Sequence, residues 1–425
     1  MKKKKAPLVR RMKEFVKTSV VWGPLDHNLF FTIIFLNVYG IIMVYSASYN
    51  NSITKNYSYF MNNQLKNVIF GFVIMIVASY VNYHRIVRLG WGWFWLFVAV
   101  AIIAALKTPL AHSELGATRW IKLGPISFQA AEPVKAAIII FFAYYVSYWG
   151  LNRWYNQLLA CLLAIALLGF LFFFSNNLST VIVLFCICAV IILSSVKKPD
   201  LYWYFLLGLA LIIIAAIFVT VYLLMHQGAE NFRFVRIRAW LHPEEYAADE
   251  GLQAMQARYA IGAGGFWGKG LGQSLIKFKL SYSYNDFILA IICEELGVFG
   301  VIVMMTLFGY LLYRIYKIAQ NAWDIEGKVL AIGVFTQIAL QLLINVMVVT
   351  SVIPTTGVTL PFFSAGGTSV VFLLAELGMV LNVDKYAKER RFFEEAERHV
   401  AQMEQRGGIG AAGWRRRLDS ARTRR

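Results

Sequence analysis

The chain has 425 residues, of which 59% are hydrophobic and 15% charged, and it contains 32 Phe, 22 Tyr and 12 Trp. This composition is far more apolar than that of an ordinary soluble domain, and it predicts a polytopic membrane protein. The four cysteines lie inside apolar runs without disulfide or zinc spacing, so they indicate small core residues. They are Cys161, Cys186, Cys188 and Cys293.

The net charge of +18 is carried largely by the two ends of the chain. The segment 1–28 begins MKKKK, and the segment 384–425 ends WRRRLDSARTRR. Basic ends of this kind suit the anionic cytoplasmic leaflet and the positive-inside rule, so no nucleic-acid partner is indicated. The first apolar run lacks a signal-peptide cleavage site after it, and we expect it to be a retained membrane span.

Apolar stretches near the ~20 residues that a bilayer requires predict ten transmembrane helices. They lie at roughly 29–48, 65–83, 90–106, 131–149, 156–174, 177–196, 202–225, 285–313, 328–350 and 367–383. The predicted fold class is therefore an all-α polytopic membrane protein with a ten-helix domain at 29–383. Ten spans place both termini, including the charged tail 384–425, in the cytoplasm.

This topology leaves three segments on the outer side that are rich in charged, aromatic, Gly and Pro residues, which is unusual for plain linkers. They are 107–130, the large extracytoplasmic loop 226–284 between the seventh and eighth spans, and 351–367. A loop of this length is usually functional. We expect the three segments to meet at the outer mouth of the helix bundle.

The first outer segment contains cations, an aromatic residue and an ion-pair pattern. Arg119 and Lys122 lie near the outer interface with Trp120, either as functional cations or as snorkelling cations beside an aromatic belt residue. Glu132 and Lys135 share a helix face at i, i+3 where the fourth span enters the membrane. They could form a structural ion pair, or Lys135 could bind an anionic ligand while Glu132 orients it.

The large loop adds a cationic cluster and a glycine run. Arg236 lies between Arg233 and Arg238 in RFVRIRAWLHP. The run has flexible backbone amides that could approach a phosphate, with Lys269 among them. It lacks the spacing and the Ser/Thr of a P-loop. Its glycines are Gly262, Gly264, Gly265, Gly268, Gly270 and Gly272.

The ninth and tenth predicted spans carry polar groups within apolar sequence. Gln337, Gln341 and Asn345 form one stripe at i, i+4 and i+8, for which interhelical hydrogen bonding is the favoured interpretation. Glu376 lies near the middle of the tenth span. The Pro and Gly residues before that span predict a non-helical segment at membrane depth, which is tolerated where it lines a cavity or is buried in protein.

The stretch SYSYNDFILAIICEELG carries Asp286, Glu294 and Glu295 at the start of the eighth span. Ionisable groups at membrane depth usually face a protein interior or a wet cavity. Asp286 lies near the outer surface beside cationic loops, whereas the two glutamates lie about two turns deeper, which suits a polar interior. An Asp in the first turn of a helix can also be a simple cap, favoured by the helix dipole.

Five motifs, in order and at the expected spacing, resemble the shape, elongation, division and sporulation (SEDS) family, whose members include FtsW, RodA and SpoVE. They are MVYSAS (43–48), TRWIKLGPISFQAAEPVK (118–135), QARYAIGAGGFWGKGLGQS (256–274), NDFILAIICEELGVFG (285–300) and IPTTGVTLPFFSAGGTS (353–369). The resemblance spans 29–383. VVTSVIPTTGVTLPF and LLAELGMVLNV are more similar to the FtsW/SpoVE branch.

The resemblance implies a peptidoglycan glycosyltransferase at the outer face of the bacterial cytoplasmic membrane, with a role in cell division, cell shape or sporulation. Such enzymes polymerise lipid II by transferring a growing glycan from undecaprenyl diphosphate to the next sugar. They work with a class B penicillin-binding protein, and other divisome or elongasome membrane proteins are expected partners. A lipid II flippase and a non-catalytic scaffold are the alternatives.

The family's essential aspartate falls on Asp286, which we expect to be the general base. We expect Arg119 and Lys135 to hold the diphosphate, within a cavity between the fourth, eighth and ninth spans that is open to lipid. No multi-carboxylate metal cluster stands out, although Asp286 could also be a ligand of Mg²⁺ or Mn²⁺. The expected substrate-binding residues are Arg119, Trp120, Glu132, Lys135, Arg236, Gln256, Lys269, Gln341, Thr355, Ser364, Gly366 and Gly367.

The chain departs from the family pattern at three places. SYSYNDF replaces the usual Pro-Glu-x-His-Thr-Asp-Phe, QAAE replaces Gln-Pro-Ser-Glu, and SAGG replaces Ser-Tyr-Gly-Gly. Asp286 must therefore act without an adjacent Glu and His, or a group such as Tyr284 substitutes for them.

Overall fold

A computed structural model describes residues 23–48, 59–114, 117–124, 126–175, 177–196, 232–246, 250–278, 284–365, 367–405 and 415. The predicted seventh span, 202–225, lies outside the described residues, as do most of both basic ends and Gly366. Arg119 is described by its backbone.

The first half of the chain forms helices close to the predicted spans. The boundary between the fifth and sixth spans is sharp, because one helix ends at Ser175 and the next begins at Leu178. Asn177 caps the second of these helices by accepting a hydrogen bond from the backbone N–H of Thr180 at 3.4 Å. The helices are α1 (His27–Ser48), α2 (Tyr59–Tyr80), α3 (Tyr83–Val87), α4 (Trp93–Ala105), α5 (Ala131–Trp149), α6 (Trp154–Ser175) and α7 (Leu178–Ser195), with a 3-10 turn at Leu89–Gly92.

The second half begins with short helices and ends with three long ones. The segment predicted as the large loop contains α8 (Phe232–Leu241), α9 (Glu250–Gly264) and a 3-10 turn at Ile276–Phe278. The long helices are α10 (Ile288–Asn321), α11 (Ile325–Val349) and α12 (Thr368–Gln405). Helix α12 therefore continues well beyond the predicted end of the tenth span at 383.

Within the described ranges, six helices are long and apolar enough to cross a membrane. They are α1, α2, α6, α7, α10 and α11, with α2 counted from Phe60. Helix α4 is also apolar but shorter. These helices support a multi-pass membrane protein, while the total of ten spans stays a prediction.

The segment between α4 and α5 folds as a small antiparallel sheet, so the all-α prediction is wrong there. Its strands are β1 (Ala111–Glu114), β2 (Ala117–Leu123) and β3 (Ile126–Gln129), in the order β1-β2-β3. Trp120 of β2 lies opposite Gln129 of β3. The Gly-Pro pair at 124–125 separates two short runs rich in aromatic and β-branched residues, which is a hairpin pattern.

Helices α2 and α12 pack closely along their length through small residues. Gly71 of α2 lies against Val371 and Leu374, and Gly378 of α12 lies against Met75. A Cβ atom added to Gly378 would fall 2.5 Å from the backbone oxygen of Met75. Close backbone approach through small residues is the usual way in which membrane helices associate.

On the side predicted to be cytoplasmic, α3 and the start of α11 are joined by a polar cluster. Asp324 accepts hydrogen bonds from Tyr83 Oη at 2.7 Å and from the N–H of Gly327 at 2.8 Å, and it pairs with His84 Nε2 at 2.6 Å. Burial opposes ionisation of Asp324, but the hydrogen bonds from His84, Gly327 and Tyr83 outweigh it and hold its pKa below the ordinary value.

The same cluster is completed by a second ion pair. Arg88 donates to Glu326 at 2.9 Å, and Ser147 donates to the same carboxylate oxygen at 3.0 Å. Asn382 of α12 accepts from the backbone N–H of Tyr83 at 3.0 Å. The cluster therefore ties α3, α5, α11 and α12 together at one end of the bundle.

Candidate active site

Asp286 lies in a turn at residues 284–287, immediately before α10, and it is partly exposed. Asn345 of α11 holds this turn, because its Nδ2 donates to the backbone oxygen of Asp286 at 2.8 Å and to that of Val358 at 2.9 Å. Helix α10 begins at Ile288 with Phe287 as the N-cap and no side-chain cap bond. Asp286 therefore lies just before the helix, at the junction of loop and helix, and the alternative that it is a first-turn cap is wrong.

Ser364 fixes the same turn from the opposite side. Its Oγ donates to the backbone oxygen of Asn285 at 2.8 Å and accepts from the N–H of Leu360 at 2.7 Å. The N–H of Ala365 donates to the backbone oxygen of Tyr284 at 2.9 Å. Backbone bonds on both sides thus position Asp286 without using its carboxylate.

Two adjoining pockets, both partly open to the outside, flank the segment 357–364, which Ser364 bonds to this turn. Both are lined by Glu132, Gln341 and Thr359. The first also reaches Ser364 and the start of α12, and the second reaches Lys135 and the start of α7. We call the two cavities together the outer cleft.

The predicted cavity lay between the fourth, eighth and ninth spans, and the structure changes one of its walls. Helices α5, α7, α11 and α12 line the outer cleft together with the segment 357–364. Helix α10, the predicted eighth span, contributes none of the described lining residues. Helix α10 is connected to the cleft through the turn 284–287, which is hydrogen-bonded to Ser364 in the cleft wall.

Glu132 and Lys135 form a buried ion pair in the wall of the outer cleft. The ammonium of Lys135 lies 2.9 Å from each carboxylate oxygen of Glu132, and the two residues are 2% and 5% exposed. A lysine held by both oxygens of one carboxylate has its charge matched. The pair is therefore part of the structure and also faces the cleft.

The polar stripe on α11 divides into three different roles. Gln337 donates to Glu376 of α12 at 2.8 Å, which is the interhelical bond expected of the stripe. Asn345 holds the turn of Asp286. Gln341 lines both halves of the outer cleft, is only 6% exposed, and has no hydrogen-bond partner among the residues that the structure describes.

The start of α7 supplies polar groups that the sequence reasoning did not select. Asn177, Ser179 and Thr180 line the second half of the cleft, and Ser179 Oγ donates to the backbone oxygen of Thr356 at 2.9 Å. The signal for a helix start was present, because Asn177 precedes an apolar run and is followed three residues later by Thr180.

Glu294 and Glu295 lie in a buried polar interior between α10 and the glycine run. Glu294 pairs with Lys269 at 2.7 Å and accepts from Ser274 Oγ and from the N–H groups of Leu275 and Ile276. Both glutamates are 0% exposed. Every carboxylate oxygen of Glu294 thus has several donors.

The carboxylate of Glu295 also has three polar partners. It accepts from Ser46 Oγ of α1 at 2.5 Å, from the N–H of Ser274 at 3.3 Å, and it lies 3.4 Å from the ammonium of Lys277. We call the assembly of Glu294, Glu295 and their donors the glutamate junction.

The glycine run packs tightly against α10 at this junction. The N–H groups of Lys269 and Gly270 donate to the backbone oxygens of Glu294 and Glu295, both at 2.9 Å. Gly297 has φ 65° and ψ −163°, which breaks the helix there. The idea that the amides of Lys269 and Gly270 approach a phosphate is therefore wrong, since α10 already binds them.

The remaining predicted site residues are spread over several elements. Trp120 is half-buried on β2, Arg236 is half-buried on α8, and Thr355 is half-buried in the segment before α12. Gln256 is buried on α9. Gly367 adopts φ 51°, a conformation that favours glycine.

In the described ranges, no group of three or more His, Cys, Asp or Glu side chains could hold a metal ion. A divalent cation at Asp286 would take most of its oxygen ligands from substrate and water, as Mg²⁺ commonly does.

The fold and the site define a class: a multi-pass membrane protein with a polar cleft between helices and a clamped, partly exposed aspartate beside it. The family model described as cell cycle protein (FtsW/RodA/SpoVE) matches residues 26–389. The chain therefore belongs to the FtsW/RodA/SpoVE family.

Curated relatives include FtsW and SpoVE proteins. The probable peptidoglycan glycosyltransferase FtsW of Trichlorobacter lovleyi is 32% identical over 88% of this chain and 96% of its own length. The stage V sporulation protein E of Bacillus subtilis is 34% identical over 84% of this chain and 96% of its own length.

Solved structures share the fold. One belongs to a study of structural coordination of polymerization and crosslinking by a peptidoglycan synthase complex. It has a TM-score of 0.72 at 22% identity, and the match covers 86% of this chain and 99% of that one. The rod shape determining protein RodA of Thermus thermophilus has a TM-score of 0.61 at 22% identity, covering 86% and 98%.

Proposed function

We propose that this protein is a peptidoglycan glycosyltransferase that polymerises lipid II at the outer face of the cytoplasmic membrane. The observation that carries the proposal is the clamped turn of Asp286 beside the outer cleft, in a chain whose curated relatives are named as such enzymes. Both termini lie in the cytoplasm in this proposal, and the outer cleft opens toward the outer leaflet.

Asp286 is the general base of the proposed reaction. A sugar hydroxyl attacks the anomeric carbon of the growing chain, the bond to undecaprenyl diphosphate breaks, and the carboxylate takes the proton of the hydroxyl. A single displacement inverts the anomeric centre without a covalent intermediate. Asn345 and Ser364 bind backbone oxygens of the turn, so they position the carboxylate through the main chain.

The departing diphosphate needs cations or other donors near its oxygens. Arg119 of β2 is the candidate on the sheet that precedes α5. Lys269 is already paired with Glu294 and Lys135 with Glu132, so neither brings an unmatched charge. Neutralising Arg119 should therefore weaken lipid II binding on the order of tenfold, since a hydrogen bond to a charged group contributes roughly 1.5 to 3 kcal/mol.

A class B penicillin-binding protein is the proposed partner, because a solved structure of the same fold belongs to a peptidoglycan synthase complex that joins polymerization to crosslinking. The curated relatives support a role in cell division or sporulation. Other membrane proteins of the divisome or elongasome would bind through the remaining surface.

Purified protein should be incubated with fluorescent lipid II, with and without its penicillin-binding partner, and the products separated by size. Glycan chains from wild type, in either arm, are the expected result. Lipid II that moves across proteoliposomes without forming polymer would identify a flippase. Neither polymer nor movement, with the partner protein bound, would identify a scaffold.

A further inference from the structure

The outer cleft has a charge balance that distinguishes between parts of a lipid-linked sugar substrate. Among its described lining residues, Glu132 and Lys135 are the charged ones, and they neutralise each other through two contacts of 2.9 Å. The cleft therefore presents no net charge to a ligand.

A diphosphate is poorly matched to this wall. Lys135 keeps one N–H beyond the two that face Glu132, but its charge is already matched, so a diphosphate bound there would bring uncompensated negative charge beside a carboxylate that is 5% exposed. An unpaired buried charge is strongly unfavourable. An uncharged polar group avoids that cost.

The other cleft residues offer uncharged donors and acceptors. Gln341 is 6% exposed and reaches both halves of the cleft, and its amide has no hydrogen-bond partner within the described ranges. Thr180 and Asn177 add a hydroxyl and an amide at the start of α7, and Val183 and Leu373 add apolar surface. An amide that opens into a cleft without a protein partner is available to a ligand.

We infer that the outer cleft binds an N-acetylated sugar of the substrate through its uncharged acetamido and hydroxyl groups, and that the diphosphate lies outside it. The acetamido N–H and C=O match an acceptor and a donor placed side by side, as in Gln341 and in the pair of Glu132 with Lys135. The acetamido methyl group packs on the apolar lining. This inference rests on the proposed function and assigns Gln341, Asn177 and Thr180 to sugar recognition.

The test compares Gln341→Met with wild type in binding to three probes: lipid II, lipid I, which lacks the GlcNAc, and undecaprenyl diphosphate. Gln337→Met is the matched control, because Gln337 lies one turn away on the same helix and is bound to Glu376. Thr180→Val removes a hydroxyl at the opposite wall and serves as an independent second variant.

We expect Gln341→Met and Thr180→Val each to weaken lipid II binding roughly threefold to tenfold, the range that one uncharged hydrogen bond supplies. Binding of undecaprenyl diphosphate should be unchanged, and Gln337→Met should bind all three probes as wild type does. A loss with lipid II alone assigns the cleft to GlcNAc, and a loss with lipid I as well assigns it to the MurNAc part.

An equal loss for undecaprenyl diphosphate would overturn the inference, because it would place the diphosphate in the cleft. Unchanged lipid II binding in both folded variants would also overturn it. Polymerisation by wild type is measured separately, so the proposed enzyme can stand when this inference fails. If wild type makes no polymer while the sugar-selective loss is seen, the cleft binds the sugar in a protein with a different function.

Discussion

The outer cleft and the glutamate junction both contain buried carboxylates on the same side of the bundle, but they differ in how completely their polar groups are paired. Glu294 and Glu295 accept from lysines, serines and backbone N–H groups. In the cleft, Gln341 has no hydrogen-bond partner in the described part of the chain, and beside the cleft the turn of Asp286 is fixed through its backbone oxygens. Saturated pairing indicates a structural role, and spare capacity indicates a place for substrate.

The largest expected effect tests the cleft side of this comparison. Asp286→Asn keeps the size of the side chain and the backbone oxygen that Asn345 binds, so the turn should persist. It removes the proton acceptor, whose loss typically slows a reaction 10²-fold to 10⁴-fold. Polymerisation of fluorescent lipid II, measured alongside the unfolding temperature in detergent, should show a large rate loss with little change in stability.

Glu294→Gln tests the structural role of the glutamate junction. Removing this charge leaves Lys269, whose side chain is 32% exposed, without its partner and weakens the hydrogen bonds to Glu294, each of which contributes roughly 1.5 to 3 kcal/mol as a bond to a charged group. We expect a clear fall in unfolding temperature and in protein level, while the activity of the folded fraction falls far less. Glu394→Gln, which removes an exposed pair with Arg398, is the matched control and should change neither quantity.

A glycine pair tests the close packing and backbone conformation of the glutamate junction. A Cβ on Gly297 would fall 2.4 Å from the N of Gly268 and from the O of Phe266, whereas one on Gly272 would meet nothing within 4 Å. Both residues have positive φ, which disfavours alanine, and Gly297 with ψ −163° also lies in a region that essentially only glycine populates. Gly297→Ala should lower the unfolding temperature well beyond Gly272→Ala, and equal shifts would contradict the packing described.

The smallest expected effect concerns the paired cluster at the other end of the bundle. The pKa of Asp324 is held below its ordinary value, so its contribution to stability is complete above about pH 4 and is lost as the pH falls through the folded-state pKa. Unfolding temperatures between pH 6 and pH 3 should fall more steeply for wild type than for Asp324→Asn. Parallel curves would show that Asp324 does not couple stability to pH.

Hydropathy alone predicts the helices well where a span is a continuous apolar run, as at 131–149, which the structure forms as Ala131–Trp149. It misses the three-stranded sheet, because a scan for length and apolarity does not detect short alternating strands. It also starts the eighth span at 285, three residues before the helix begins at Ile288, since residue periodicity does not fix helix ends.

The sequence does not predict which groups on neighbouring helices and loops bind the polar side chains of α11. Gln337, Gln341 and Asn345 look alike as a stripe, yet one binds a glutamate, one faces the cleft and one holds a turn. Their roles depend on which helix or loop lies opposite each turn of α11. The same is true of the glycine run. Its spacing suggests a flexible loop, but its backbone hydrogen bonds and close contacts pack it tightly against α10.

The most direct test of the central claim measures polymerisation rate per folded molecule for Asp286→Asn and Glu294→Gln side by side. We expect Asp286→Asn to lose at least a hundredfold in polymerisation rate at nearly wild-type stability. We expect Glu294→Gln to lose stability, while its folded fraction keeps most of the wild-type rate. If Asp286→Asn polymerises lipid II at close to the wild-type rate, Asp286 is not the base and the distinction between the two regions fails.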